Sequence, residues 1–308
     1  MTVRNGFSVG ICAANHATEL NRLLDLIERE PYPPGFVLES IVIVASGLDH
    51  ELSTLFGKLD GAYPNVVFIE ELVRRGKAQA INRIVQAFRG EFLVLLNSDA
   101  QPEPGAISKL LSAIGQDERI GVVSASPVLR PRAGLAGAVL QMMWDAHNEC
   151  LVTLSDKNSM NHCCDELIVL RSDVLRKLPP DTVNDGAFLA GVAYRDGYII
   201  QHCEAARVTI DVPMRLTELL MQRRRILYGH LQIRRRVGTS PRTVESLLIR
   251  NPLLSFSIIV RTVAKSPRLI LALPTGVVAE AFSLAMAIGD TLTSRAKHVP
   301  WARVGRMK

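Results

Sequence analysis

The strongest constraint on how this chain folds is a run with no polar side chain, Phe92-Leu93-Val94-Leu95-Leu96. A strand with one wet face alternates apolar and polar residues. A strand covered on both faces reads as an unbroken apolar run, as in a parallel sheet flanked by helices. Similar short segments recur at Phe7–Ala13, Ile41–Ala45, Val66–Ile69 and Ile120–Ala125. Between them, apolar residues repeat at helical spacing. Leu20, Leu23, Leu24 and Ile27 follow Thr18 as an N-cap, and Ala80, Ile81, Ile84, Val85 and Phe88 form a stripe that Gly90 can end. Ile107, Leu110, Leu111 and Ile114 mark a third helix. Strands alternating with helices imply right-handed crossovers, hence an α/β fold with a doubly wound, mostly parallel sheet.

Beyond Leu129 the rhythm loosens. Leu135–Cys150 reads as a helix, Leu167–Leu170 as a strand, Asp185–Tyr194 as a short helix and Tyr198–His202 as a strand. From Leu216 to Arg236 runs a long basic helix. After Gly238 the character changes: Leu253–Val260 is apolar, and Leu269–Gly289 is about as long as a membrane span while carrying only Glu280 as a charge. Two regions result, a catalytic-type domain over residues 1–236 and a helical, apolar and basic tail over 237–308.

The 308 residues, 48% hydrophobic, suffice for one large core and a smaller appendage. The net charge of +6 is concentrated in Arg223-Arg224-Arg225, Arg234-Arg235-Arg236 and the end of the chain. Such clusters suit phosphate groups, nucleic acid or an anionic membrane face. The cysteines Cys12, Cys150, Cys163, Cys164 and Cys203 are odd in number and lack metal-ligand spacing, which points to a reducing compartment. The opening residues predict no signal peptide.

Chemistry is expected where the apolar run ends. Asn97-Ser98-Asp99 lies at the carboxyl end of a buried strand, where open α/β sheets bind ligands. By itself the cluster also reads as a turn, since Asn, Ser, Asp and Pro are all turn residues. Its oxygens suit a hard cation that holds a diphosphate. Gly76-Lys77 lacks the remaining elements of a phosphate loop. Asp165 and Glu166 read either as the lining of an acceptor pocket or as a plain loop and strand edge. His147, His162, His202 and His230 read as structural.

Four segments, taken in order, resemble the family 2 glycosyltransferases, which have the nucleotide-sugar-binding GT-A fold. They are Ile11-Cys12-Ala13-Ala14-Asn15, Gly76-Lys77-Ala78-Gln79-Ala80-Ile81-Asn82, Asn97-Ser98-Asp99, and Asn184-Asp185 with Gln222-x-x-Arg225. The resemblance covers Phe7 to about Arg236. It implies an inverting, metal-dependent transferase, of hexosyl or N-acetylhexosaminyl type, that uses a UDP- or GDP-sugar. The same resemblance implies nucleotide-sugar contacts from Ala13, Asn15, Ser46, Lys77, Asn97, Ser98 and Asp99. Asp99 would hold Mg2+ or Mn2+, and Asp185 would be the general base. Gln222, Arg224, Arg225 and Glu166 would meet diphosphate or acceptor. Departures are Ala45-Ser46-Gly47 where the family often has Asp-Asp-Gly-Ser, Asn97 for the first metal-motif Asp, and Ile226 for the final Trp, with Tyr228 nearby.

The expected partners are a saccharide or lipid-linked acceptor of cell-envelope type and a membrane surface, with no nucleic acid and a possible homodimer. The expected location is the cytoplasmic side of the membrane, peripheral or monotopic, with the tail attached rather than completing the core. Two rivals remain at this level, a sugar nucleotidyltransferase and a non-catalytic scaffold of the same fold.

Overall fold

Leu93 and Leu95 point to one side of the sheet and Phe92, Val94 and Leu96 to the other, and all of them are buried. The apolar run is therefore covered on both faces, as its composition requires. The computed structural model of the chain describes residues 5–13, 17–46, 53–54, 56–57, 65–131, 133–211, 215–293 and 298. The strands are β1 (Asn5–Ala13), β2 (Phe36–Ser46), β3 (Val66–Glu71), β4 (Phe92–Asn97), β5 (Gln101–Pro102), β6 (Ile120–Leu129), β7 (Leu167–Arg171) and β8 (Ile199–Ile210). They form one sheet in the order β3-β2-β1-β4-β7-β6-β8-β5.

From β3 to β4 the sheet is parallel, and β6 pairs with β8 in parallel. β7 runs antiparallel to both its neighbours, β4 and β6, and β5 runs antiparallel to β8. The alternating half of the sequence thus folds as a doubly wound parallel sheet, while the whole sheet is mixed. Its connection from β6 ends at the edge that β6 left, so β7 enters in the opposite sense. This reversal brings the residues before β7 to the carboxyl edge of β4.

Helices α1 (Ala17–Arg29) and α3 (Ala106–Ile114) cover one face, where Leu20, Leu24, Leu110 and Leu111 pack on Phe7, Val9 and Val94. Helices α2 (Lys77–Ala87), α4 (Gly134–Asp156) and α5 (Asp185–Arg195) cover the other, with Ile81, Ile84, Leu151 and Leu189 against Leu93 and Leu95. Burying one such side chain contributes about 1.5–3 kcal/mol. Thr18 lies inside the first turn of α1 and is not its cap. α2 ends at Ala87, and the positive φ of Gly90 instead turns the chain into β4.

Helix α6 (Leu216–Val237) leads to α7 (Val244–Arg250), α8 (Pro252–Lys265), a 3-10 segment (Pro267–Ala272) and α9 (Leu273–Thr293). Contrary to the sequence reading, the tail does complete part of the core. Leu247 and Ile258 join the cluster that contains Leu93, and Leu269 and Ala272 pack with Val139, Leu140 and Leu219. The apolar spacing of a tail does not reveal which surface it meets.

Candidate active site

Three parallel strands stop together. In register, Ala13 lies opposite Ala45 and Cys12 opposite Asn97, so β1, β2 and β4 present their carboxyl ends along one edge. The Ser98 backbone N–H donates to the Cys12 carbonyl at 3.3 Å and that of Ala100 to Asn97 at 3.1 Å, forming a turn on the strand end. Ser98 is buried while Asp99 projects into solvent. Ser46, at the end of β2, donates its hydroxyl to Glu71 Oε2 at 2.7 Å.

Because β7 runs backwards, Asp165 and Glu166 enter at this same edge. The Asn97 backbone N–H donates to the Glu166 carbonyl at 3.1 Å, and the Asn97 amide donates to Glu166 Oε2 at 2.9 Å. Asn97, which stands in place of the first metal-motif Asp, is therefore occupied in holding the Glu166 side chain, from the segment just before β7.

Gly76, with φ of +98°, caps α2 in a backbone conformation that disfavours a side chain, and this sets Lys77 at the first position of the helix. Lys77 Nζ lies 2.5 Å from Asp165 Oδ2 and 2.9 Å from Asp185 Oδ2. Asp185 begins α5, where the Asn184 side chain caps the helix by accepting the Ala187 N–H at 3.2 Å. Gly186 allows the close approach, since a Cβ there would fall 2.4 Å from the Asp165 Cβ.

The segment leading to Asp185 is anchored at several points. Asn82 of α2 donates to the Leu178 carbonyl at 2.9 Å and accepts the Leu178 N–H at 2.8 Å. From α6, Gln232 accepts the Val183 N–H at 3.0 Å, and Arg225 donates to the Val183 carbonyl at 2.9 Å.

Carboxylates outnumber cations here, and the titration behaviour reflects it. Burial favours neutral Lys77, yet Asp165 and Asp185 hold its ammonium well above the ordinary lysine range. Burial pushes Asp165 up, but the Lys77 charge outweighs it and holds this carboxyl below its usual value. Asp185 is raised, by burial first, against the pull of Lys77. Burial and then the Asp165 charge lift Glu166 to about 8. Burial pushes the Cys12 thiol to about 12, which removes it as a nucleophile.

Of the residues singled out in the sequence, Ala13, Ser46, Lys77, Asn97, Ser98, Asp99, Glu166 and Asp185 line or approach this edge. Arg225 joins them: burial lowers its pKa, while the charges of Asp185, Asp165 and Glu166 act against that. Gln222 is half-buried on α6. Asn15 lies outside the described residues. Arg224 does not join the site. It is paired with Asp290 of α9, Nε to Oδ2 2.6 Å, because one residue along a helix turns the side chain about 100° away from Arg225. Two contributors have contacts that the sequence does not reveal. Asp165 reads there as pocket lining or, in preference, as a plain loop, and Asn82 only as part of a motif; neither contact is visible without the fold.

Among the described residues no three His, Cys, Asp or Glu side chains form a metal cage. Of the oxygens at this edge, the Asp99 carboxylate is the one that projects from the strand end into solvent, a donor type that suits a hard divalent cation. Asp99 would hold such an ion, and the remaining ligands would come from a bound diphosphate.

A family model described as glycosyltransferase like family 2 matches residues 4–229. A comparison with curated protein sequences finds no match. Among solved structures, the fold is similar to the mannosyltransferase PcManGT from Pyrobaculum calidifontis in complex with GDP-Man and Mn2+. The TM-score is 0.64 at 19% identity, over 96% of this chain and 89% of that one. It is also similar to TarS of S. aureus, with a TM-score of 0.50 at 16% identity over 73% of this chain and 40% of that one.

Proposed function

The chain belongs to glycosyltransferase family 2 and is a glycosyltransferase, and from this premise we propose an inverting, divalent-metal-dependent transfer from a UDP- or GDP-sugar. The observation that carries the reading is Asp185, buried at the start of α5 with Nζ of Lys77 at 2.9 Å, beside the shared end of β1 and β4.

Asp185 is the general base. As the acceptor oxygen attacks the anomeric carbon, its proton passes to the Asp185 carboxylate and the bond to the diphosphate breaks. Inversion in one displacement requires no covalent nucleophile, and the high thiol pKa of Cys12 agrees with that. Lys77 and Arg225 supply the positive charge that meets the departing diphosphate. Asp99 would hold a divalent cation such as Mg2+ or Mn2+, which would supply further charge neutralisation at the diphosphate. Support for a nucleotide-sugar donor and a divalent ion comes from the GDP-Man and Mn2+ bound by the similar Pyrobaculum enzyme.

Ser46 and Ala13 border the nucleotide, and Glu166 borders the diphosphate and acceptor. The acceptor is a hydroxyl or phosphate of a lipid-linked saccharide or cell-envelope polysaccharide, met at the cytoplasmic face of the membrane.

The test is hydrolysis and transfer with a panel of UDP- and GDP-sugars, with Mn2+, Mg2+ or chelator. One donor should be consumed only with metal, giving a product of inverted anomeric configuration. Metal-independent turnover or retained configuration would overturn this reading.

A further inference from the structure

Helix α9 is built inside out for a helix in water. The side packed on the protein is made of small and polar residues, Gly276, Ala279, Ser283, Ala287 and Asp290. The opposite side exposes Val277, Val278, Phe282, Leu284, Ile288 and Leu292. No exposed position from Leu273 to Thr293 carries a charge. A surface helix of a soluble protein shows the reverse pattern.

The exposed apolar face continues onto the neighbouring elements. Leu271 is 81% exposed in the 3-10 segment, Leu253 82% and Phe256 65% on α8, and Ile249 85% at the end of α7. A continuous apolar surface of this kind marks an interaction site. From Leu248 to Thr293 Arg250, Arg261, Lys265 and Arg268 are exposed and no acidic side chain is. Arg261 and Lys265 also pair with buried Glu149, and exposed Asp156 and Lys157 lie beside Phe256.

Both acids of α9 turn inward. Glu280 takes a two-point contact from Arg223 at 2.7 and 2.8 Å, and Asp290 pairs with Arg224 and lies 3.0 Å from His298 Nε2. Glu280, the one charge in the Leu269–Gly289 stretch, is thereby withdrawn from the outer face. On α9 the two acids are ten residues apart, about 15 Å along the axis, while their arginine partners are neighbours on α6, so α9 is held at two points to the arginine-rich α6. A helix clamped in this way cannot cross a bilayer without drawing α6 into the hydrocarbon, where each arginine costs several kcal/mol.

We infer that α7, α8 and α9 form a monotopic membrane seat: α9 lies in the plane of an anionic bilayer, its Val277–Phe282–Ile288 face immersed and Arg250, Arg261, Lys265 and Arg268 at the headgroups. Mean hydropathy reaches 1.8 within Pro267–Thr293, and the inward ion pairs keep both acids of α9 off the immersed face. This seat deepens the membrane-face element of the proposed function and does not depend on the transfer reaction.

The test is flotation of the full chain, freed of detergent, with vesicles of phosphatidylglycerol and phosphatidylcholine. The chain should float with anionic vesicles and fall off by about tenfold on pure phosphatidylcholine. The exposed double variant Val278→Asp with Phe282→Asp should stay at the bottom with an unchanged circular dichroism spectrum. For the orientation, single Val277→Trp and Ile288→Trp probes, in a Trp144→Phe, Trp301→Phe background, are quenched by brominated lipids. In-plane seating gives both the same shallow depth, whereas a spanning helix separates them by roughly 16 Å and overturns the inference. So does a detergent-free chain that ignores anionic vesicles, whether as a monomer or as a dimer that covers this face. Donor hydrolysis is read on the same samples. A chain that floats without consuming any nucleotide sugar counts against the reaction alone, and one that consumes donor without floating counts against the seat alone.

Discussion

Lys77 and Asp185 form an ion pair, Nζ to Oδ2 2.9 Å, in which the carboxylate side chain is 6% exposed and the ammonium is shared with Asp165. The proposed base is thus held in place by the cation that we propose meets the diphosphate, and binding of a donor would then draw Lys77 toward phosphate. Asp185→Asn keeps the shape and removes the base. Turnover should fall about 10²–10⁴-fold while donor affinity, measured by calorimetry, changes little. Burial raises the Asp185 carboxyl, so the acid limb of kcat/KM should lie above the ordinary aspartate range. An Asn variant with near-parental turnover would remove Asp185 from the chemistry.

Glu166 gives a pH signature in stability. Burial and the Asp165 charge raise its carboxyl from 4.5 to about 8, so the folded protein retains a proton that the unfolded chain gives up. The stabilisation this brings is complete below about pH 4.5 and is lost as pH climbs through about 8. Melting curves of the parent and Glu166→Gln between about pH 5 and about pH 9 read this directly. The parent Tm should decline relative to the variant and level off at the alkaline end; parallel curves would mean that Glu166 is ionised throughout.

Asp99→Ala should abolish the metal-dependent component of nucleotide-sugar binding. Titration of the donor with and without Mn2+ should give a difference in the parent and none in the variant. An undiminished metal effect would move the ion elsewhere.

Neighbouring arginines on α6 should separate cleanly. Arg225→Lys loses a planar fork near the carboxylate cluster, and donor or nucleotide-diphosphate affinity should drop by roughly tenfold, the worth of a charge-assisted hydrogen bond. Arg224→Ala breaks the pair with Asp290, so it should lower Tm and leave donor affinity within about twofold. Equal effects of both changes on donor affinity would contradict the placement.

Asn82→Ala leaves the Leu178 N–H and carbonyl without their partner. Each such loss costs about 1–3 kcal/mol, so denaturant unfolding should show a fall of that order. Because Leu178 precedes the Asp185 segment, kcat should fall as well. A variant as stable as the parent would show that solvent takes over both bonds.

The local layer of this protein is written in its sequence. Side-chain period and apolar runs identify nearly every strand and helix, from Phe92–Leu96 to Leu216–Arg236, because burial on one or two faces is a short-range pattern. The turn at Asn97-Ser98-Asp99 and the acid at the start of α5 are likewise local, and so the edge of the site was legible. Tertiary structure alone decided what faces what. Whether β7 enters parallel or antiparallel depends on where a long connection ends, and that reversal sets Asp165 against Lys77 and Glu166 against Asn97. The same holds for Arg223 and Arg224, identical in sequence terms to Arg225 but turned by helix geometry toward Glu280 and Asp290. Composition states that a charge exists; only packing across more than 50 residues of chain selects its partner.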